Sequence, residues 1–240
     1  MSEAVTWCLE AVEARRGARH AALNAAKVVA MRTDAELRDA VAGSDLITAD
    51  GQAIVWATRL LGDPVPERVT GIDLMERLLA ESGPRGHRVF FLGATPETLR
   101  RAIERLEARH PGLVVAGSHH GYFREDEAAV RDSIVAARPD LLFVAMGTPQ
   151  KELWLARHSQ ELGVPFAMGV GGALDVVAGD VRRAPSWVGR VGLEWAFRLA
   201  QEPGRLWRRY LLTNLRFAIL LARELVRLRH RRGLTPDNRA

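Results

Sequence analysis

Apolar runs that end in a glycine or a polar turn, and that lead straight into a helix start, constrain this chain most. Leu141-Leu142-Phe143-Val144-Ala145-Met146-Gly147 is followed by Thr148-Pro149, and Arg88-Val89-Phe90-Phe91-Leu92-Gly93 by Ala94-Thr95-Pro96. Val164-Pro165-Phe166-Ala167-Met168-Gly169-Val170-Gly171-Gly172 leads into Ala173 to Val177, and Leu46-Ile47-Thr48-Ala49 into Asp50-Gly51. Leu113 to Gly117 forms a further run. Continuous apolar runs read as strands covered on both faces. Between them the spacing predicts helices over 4–16, 34–41 (closed by Gly43), from Asp50 to Leu61, 74–79, from Pro96 to about Arg109, 127–137 and from Pro149 onward. Thr70 or Gly71, Thr95 and Thr148 are the expected caps. Strands alternating with helices mean an α/β fold: a Rossmann-like, doubly wound, mainly parallel sheet.

In such sheets ligands sit beyond the carboxyl ends of the strands. Asp50 falls there, beside a glycine that permits close approach; it is placed to accept a proton or to cap the next helix. Asn24 lies at a turn between apolar segments and is either a helix cap or a polar group in a cleft. Arg68, in the Pro- and Gly-rich loop 62–73, has a fork suited to phosphate or is simply solvated. Gly93 makes a strand–Gly–helix junction able to meet phosphate, without the full G-x-G-x-x-G spacing of a dinucleotide site. Gln150 and Lys151 open a helix at a strand end. Gly171, with Gly169 and Gly172, allows a ligand close to the backbone or makes a tight turn. Tyr122 either stacks on a base or packs. His119 and His120 are adjacent and lack a helical i, i+4 partner, so no metal site is expected. Asp50, Gly93, Gln150 and Gly171 are expected to collect on one edge.

Charge divides the chain. Residues 1–180 hold 20 Lys+Arg against 25 Asp+Glu, and residues 181–240 hold 14 against 4. Of 34 basic residues only Lys27 and Lys151 are lysines. The expected division is an α/β domain over 1–190 and a basic amphipathic helical appendage over 191–240, with helices over 187–201 and from 204 to about 232. Arg209, Arg216 and Arg223 recur every seven residues beside Leu211, Leu212, Leu215 and Ile219, with Trp207 and Tyr210 nearby, a pattern suited to an anionic membrane surface or to packing on the domain or a second copy. No run reaches 18 uninterrupted apolar residues, and Glu3, Glu10 and Glu13 interrupt any signal-peptide core, so neither a membrane-spanning helix nor a secretory signal is expected. The single Cys8 excludes an internal disulfide framework. A nucleic-acid binder would need base-stacking aromatics along a basic groove, and only Trp207, Tyr210 and Phe217 accompany the tail arginines. A dinucleotide-dependent oxidoreductase would need the glycine fingerprint that is missing here.

Several segments occur together, in one order: Leu46-Ile47-Thr48-Ala49-Asp50-Gly51, Glu67-Arg68-Val69-Thr70-Gly71-Ile72-Asp73, Phe91-Leu92-Gly93, Gly121-Tyr122-Phe123, and Met146-Gly147-Thr148-Pro149-Gln150-Lys151-Glu152. Gly169-Val170-Gly171-Gly172 through Gly179, Arg183-Ala184-Pro185, and Gly192-Leu193-Glu194-Trp195 through Arg198 and Glu202-Pro203 continue it. In this set the chain resembles the WecG/TagA/CpsF glycosyltransferases, glycosyltransferase family 26. The resemblance implies inverting transfer of a sugar (N-acetylmannosamine or a related hexose or uronic acid) from a UDP-sugar to a polyprenyl-diphosphate-linked saccharide in cell-surface polysaccharide synthesis. It implies neither metal nor other cofactor, and a cytoplasmic protein held peripherally at the inner face of the plasma membrane, with a homo-oligomer possible. Asp50 falls at the family's general-base position. Asn24, Arg68 and Gln150 match pocket positions, and Tyr122, Gly171 and Asp175 lie in segments near the nucleotide. Arg198, Arg205 and Arg208 match appendage arginines that close over the active site and would stabilise the leaving diphosphate. Ala22 stands where the family often carries Thr, which removes one hydroxyl contact to substrate.

Overall fold

The structure, a computed structural model, describes residues 1–123, 126–185, 188, 194–201 and 203–233. Its elements follow the chain as α1 (Ser2–Glu13), β1 (Ala18–Leu23), α2 (Ala25–Ala30), α3 (Ala35–Ala42), β2 (Leu46–Ala49), α4 (Gln52–Leu61) and α5 (Gly71–Arg85). Then come β3 (Arg88–Gly93), α6 (Pro96–Arg109), β4 (Val114–His119), α7 (Glu127–Ala137), β5 (Leu141–Ala145), α8 (Gln150–Leu162), β6 (Phe166–Gly169) and α9 (Ala173–Ala178). The C-terminal helices are α10 (Glu194–Gln201) and α11 (Pro203–Gly233).

The six strands form one parallel sheet in the order β2-β1-β6-β5-β3-β4, as the α/β alternation requires. The apolar runs are continuous because the sheet is covered on both faces. Val89 and Phe91 of β3, Leu141 and Phe143 of β5, and Phe166 and Met168 of β6 enter one core, with residues of α1, α5, α6 and α9. Their neighbours Phe90, Leu92, Leu142, Val144 and Ala167 enter the other, with residues of α7 and α8. Phe91 and Phe143, opposite each other in the β3–β5 ladder, stack with ring centres 5.7 Å apart.

Most helix starts follow the cap chemistry of the sequence. Asn24, Asp34, Thr70 and Thr95 each accept a backbone N–H from the first turn that follows. Thr148 does not cap α8: Pro149 holds the cap position, and the Thr148 hydroxyl pairs with side chains instead. The segment 18–23, with Arg19 and His20 among alanines, lacks the apolar run of a buried strand, yet it forms β1 between β2 and β6. The α5 helix is longer than the apolar stretch 74–79 that announces it.

By backbone contacts the chain divides into two units. The first holds Met1–Ala22, Asp34–Thr48 and Val69–Arg183, and so most of the sheet with its flanking helices. The second holds Leu23–Thr33, Ala49–Arg68 and the described residues from Ala184 onward. In the second unit α11 packs on α2 and α4, and Phe217 lies against the small cluster of Ala49, Ile54 and Val55 together with Val28 and Val65. Among the described residues no helix is long and apolar enough to cross a membrane.

Candidate active site

In the first unit the connections from β3 and β5 leave to opposite faces: α6 contributes to one core and α8 to the other. Neighbouring parallel strands whose crossovers diverge open a crevice at their carboxyl ends. Gly93 ends β3 there, at φ +127°, and a Cβ on it would stand 2.3 Å from the Ala145 carbonyl oxygen. Only glycine lets the two strand ends approach this closely. Ala94 then donates to the Ala145 carbonyl at 3.0 Å and accepts from Gly121 at 2.9 Å, which ties the loop after β4 to the same edge. Tyr122 follows in that loop with 72% of its surface exposed. His119 Nδ1 donates to the His120 carbonyl at 2.8 Å, and His120 Nδ1 accepts the Tyr122 N–H at 3.2 Å, so both rings serve the turn. Among the described residues no three His, Cys, Asp or Glu side chains gather as a metal-holding group.

At the start of α8 the side chain of Gln150 is exposed, while its neighbours Lys151 and Glu152 are buried. Lys151 Nζ lies 2.9 Å from Glu152 Oε1 and donates to Thr148 Oγ1 at 2.5 Å. The same hydroxyl reaches Glu152 Oε1 at 3.2 Å. The lysine stem crosses β6 at Gly169, and Gly171, at φ +54°, lies beside its end. Asp175, half-buried in α9, has Oδ2 3.3 Å from where a Cβ on Gly172 would stand. Deeper in the sheet, His20 Nε2 meets Thr48 Oγ1 at 2.9 Å, and Thr48 donates to the Val69 carbonyl at 3.3 Å. A depression bordered by His20, Ala22, Ala40, Lys151, Glu152 and Gly169 lies between these groups. Two other motif segments are joined by the Arg183–Asp73 ion pair, with Thr70 donating to Asp73 at 2.6 Å.

The second unit gathers the other candidates. Asn24 directly follows β1 and Asp50 directly follows β2. The Asp50 N–H donates to the Leu23 carbonyl at 2.9 Å, and a Cβ on Gly51 would lie 3.7 Å from that of Asn24. The carboxylate and amide residues are thus drawn together at neighbouring strand ends. Arg68 Nη1 donates to Glu194 Oε2 of α10 at 2.7 Å. Arg198 falls in α10, and Arg205 and Arg208 in α11, but their side chains lie outside the described residues.

Gly93, Tyr122, Gln150, Gly171 and Asp175 thus lie in the first unit, and Asn24, Asp50 and Arg68 in the second. Lys27 and Lys151 are buried; the sequence marks Lys151 only as opening a helix at a strand end beside Gln150 and gives Lys27 no role. Their signal is that they are the only two lysines in a chain that otherwise uses arginine.

The model of the glycosyl transferase WecG/TagA/CpsF family matches residues 1–231. Over 171 residues the chain is 39% identical to the N-acetylglucosaminyldiphosphoundecaprenol N-acetyl-beta-D-mannosaminyltransferase of Bacillus spizizenii, covering 71% of this chain and 66% of that protein. A protein of the same name from Bacillus subtilis is 30% identical over 213 residues, 89% of this chain and 82% of that one. One from Staphylococcus aureus is 36% identical over 162 residues, 68% of this chain and 63% of that one. The matched region thus spans just under two thirds of the first and third of these relatives.

Proposed function

The chain belongs to the glycosyl transferase WecG/TagA/CpsF family, and from that premise we propose that it is an inverting glycosyltransferase of cell-surface polysaccharide synthesis. Its donor is a UDP-sugar and its acceptor a polyprenyl-diphosphate-linked saccharide. The relatives' names supply the closest chemistry: N-acetylmannosamine for the sugar moved and N-acetylglucosaminyl diphosphoundecaprenol for the acceptor. The single observation behind the reading is the close approach of the Asp50-Gly51 turn to Leu23 and Asn24 at adjacent strand ends, in the unit that also holds Arg68.

In this mechanism Asp50 takes the proton from an acceptor hydroxyl as its oxygen attacks the anomeric carbon. The bond from that carbon to the UDP oxygen breaks on the opposite face, which inverts the centre. UDP departs with the bonding electrons, and arginine guanidinium groups stabilise its diphosphate. Arg68 takes this part, with Arg198, Arg205 and Arg208 of the C-terminal helices. Asn24 and Gln150 orient the sugar by hydrogen bonds. Gly93 and Gly171 leave room for the nucleotide, and Tyr122 and Asp175 meet it. Such electrostatic stabilisation needs no metal ion in this reading. Ala22, buried on β1, offers no hydroxyl to the substrate, which bears on which sugar is accepted.

The C-terminal helices carry the membrane part of the proposal. Leu211, Leu212, Leu215 and Ile219 of α11 are exposed, with Arg216 and Arg223 along the same helix. An apolar stripe edged by arginines suits the anionic inner face of the plasma membrane, where the lipid-linked acceptor would be met. The experiment is transfer from UDP-sugar to lipid-linked acceptor by the Asp50→Asn variant. Turnover is expected to fall by about 10²–10⁴-fold with the melting temperature unchanged. Full activity in Asp50→Asn overturns the base assignment, and stabilisation of the wild type by NAD but not by UDP overturns the transferase reading.

A further inference from the structure

The Arg68–Glu194 contact joins residues 126 positions apart within the second unit. Arg68 belongs to the loop after α4, and Glu194 is the first residue of α10. Their side chains are only 19% and 33% exposed, so the pair is partly withdrawn from water. Its Coulombic attraction is therefore stronger than that of a surface pair. A guanidinium has five N–H donors in a fixed fork. Among the described residues Arg68 spends only Nη1, on this one carboxylate. The other edge of the fork, Nε with Nη2, shows no hydrogen bond or ion pair with the described residues.

We propose that Glu194 is a positioning residue: by holding Nη1 it presets the Nε–Nη2 edge of Arg68 as a bidentate clamp for the diphosphate of the nucleotide donor. The inference rests on the proposed UDP-sugar donor and extends it, since Glu194 has no contact with substrate in that mechanism. Two effects of Glu194 oppose each other. Its charge offsets part of the attraction of Arg68 for a phosphate. Its grip removes rotamer freedom that a long arginine otherwise loses on binding. The contact is made at one nitrogen only, so the fork edge that matches two phosphate oxygens stays available. Preorganisation is then the larger effect. A consequence is that the phosphate site is complete only when α10 of the C-terminal segment is in place.

The test is UDP titration of the full chain by calorimetry, for wild type, Glu194→Ala and Glu194→Gln, with Arg68→Lys as background. Glu194→Ala is expected to weaken UDP binding about tenfold, the value of one hydrogen bond to a charged group. Glu194→Gln keeps a carbonyl acceptor for Nη1 and is expected to stay within about twofold of wild type. In the Arg68→Lys background, which has no fork, Glu194→Ala is expected to have no further effect. Unchanged or tighter UDP binding in Glu194→Ala overturns the proposal, the latter by making Glu194 a competitor of the phosphate. An equal loss in Glu194→Gln, or a loss that persists with Arg68→Lys, overturns it in favour of a purely structural role. If the wild type itself binds no UDP, the donor reading fails first and the inference falls with it. A wild type that binds UDP beside a Glu194→Ala variant that binds it equally sinks the inference alone.

Discussion

Lys151 lies across Gly169. A methyl group on residue 169 would stand 2.8 Å from Lys151 Cδ, 3.1 Å from Cε and 3.2 Å from Cγ. The crowding falls on the middle of the lysine stem, and the far end is fixed by Thr148 Oγ1 and Glu152. The side chain has little freedom to step aside. Gly169→Ala is expected to destabilise the protein by about 1–3 kcal/mol, as overpacking a core does. Elsewhere in a strand the same change would be neutral or mildly stabilising, because it reduces the freedom of the unfolded chain. A double-mutant cycle in chemical denaturation checks the cause: in a Lys151→Ala background the cost of Gly169→Ala is expected to vanish. A cost that survives there would trace to the β6 backbone instead.

Asn24 carries two roles that substitution can separate. Its side chain accepts the Lys27 N–H at 3.0 Å and caps α2. Asn24→Ala is expected to cost about 1 kcal/mol of stability. Asn24→Ser and Asn24→Asp retain a capping oxygen and are expected to melt within a few tenths of a kcal/mol of wild type. If the amide also holds the sugar, both capped variants lose transfer activity despite their intact stability. Activity that follows stability alone would assign Asn24 to capping and nothing more.

These two sites also show what local sequence can reveal. Runs such as Val89 to Leu92 and Leu141 to Val144 are readable because both faces of β3 and β5 meet a core, so every position is apolar. The β1 strand is hidden because two of its six residues are ionisable and three are alanine. Its place is secured by long-range bonds, from Ala18 N–H to the Pro165 carbonyl and from Arg19 N–H to Asp45. Thr148-Pro149 has the spelling of a helix start, but the hydroxyl goes to Lys151 and Glu152, a competition between side chains that no cap rule weighs. Lys27 and Lys151 are legible only as exceptions in composition. A lysine passes a slim apolar stem through a tight place such as Gly169, where a planar guanidinium needs more room and more partners. The Arg68–Glu194 pair has no local signal at all, since no periodicity links positions so far apart.

Cys8 sits fully buried in α1 among apolar residues. Burial pushes its thiol up to about 12 by disfavouring the thiolate. In the unfolded chain the thiol returns to its ordinary value near 8.5. The folded-state value is the higher one, so this contribution to stability is complete below about pH 8.5. It is lost as pH rises from there towards 12, because the unfolded state sheds its proton first. The slope approaches about 1.4 kcal/mol per pH unit within that window. Urea unfolding between about pH 8.5 and pH 10.5 is expected to show this decline in the wild type and a shallower one in Cys8→Ala. Equal slopes would remove Cys8 from the alkaline response. At neutral pH a thiol reagent is expected to label the protein only at its unfolding rate.

The long helix α11 presents two apolar surfaces with different fates. Phe217 packs against Ala49, Ile54 and Val55, directly beside the Asp50 turn. Leu211 and Leu215 are exposed, each within five residues of Arg216. If α11 lies on an anionic membrane, Leu211→Glu with Leu215→Glu removes buried apolar area there and adds repulsion. Partition onto phosphatidylglycerol vesicles is then expected to drop by more than about tenfold. The melting temperature should hold, since neither side chain is buried in the fold. Phe217→Ala should do the reverse, with a stability loss on the order of 3 kcal/mol and vesicle binding preserved below the melting temperature. Raised salt is expected to weaken wild-type binding, because Arg216, Arg223 and Arg227 act through a screened surface potential. Vesicle sedimentation of the three proteins decides the matter. Undiminished binding by the double glutamate variant would mean that the stripe of α11 serves another surface, such as a second copy of the chain.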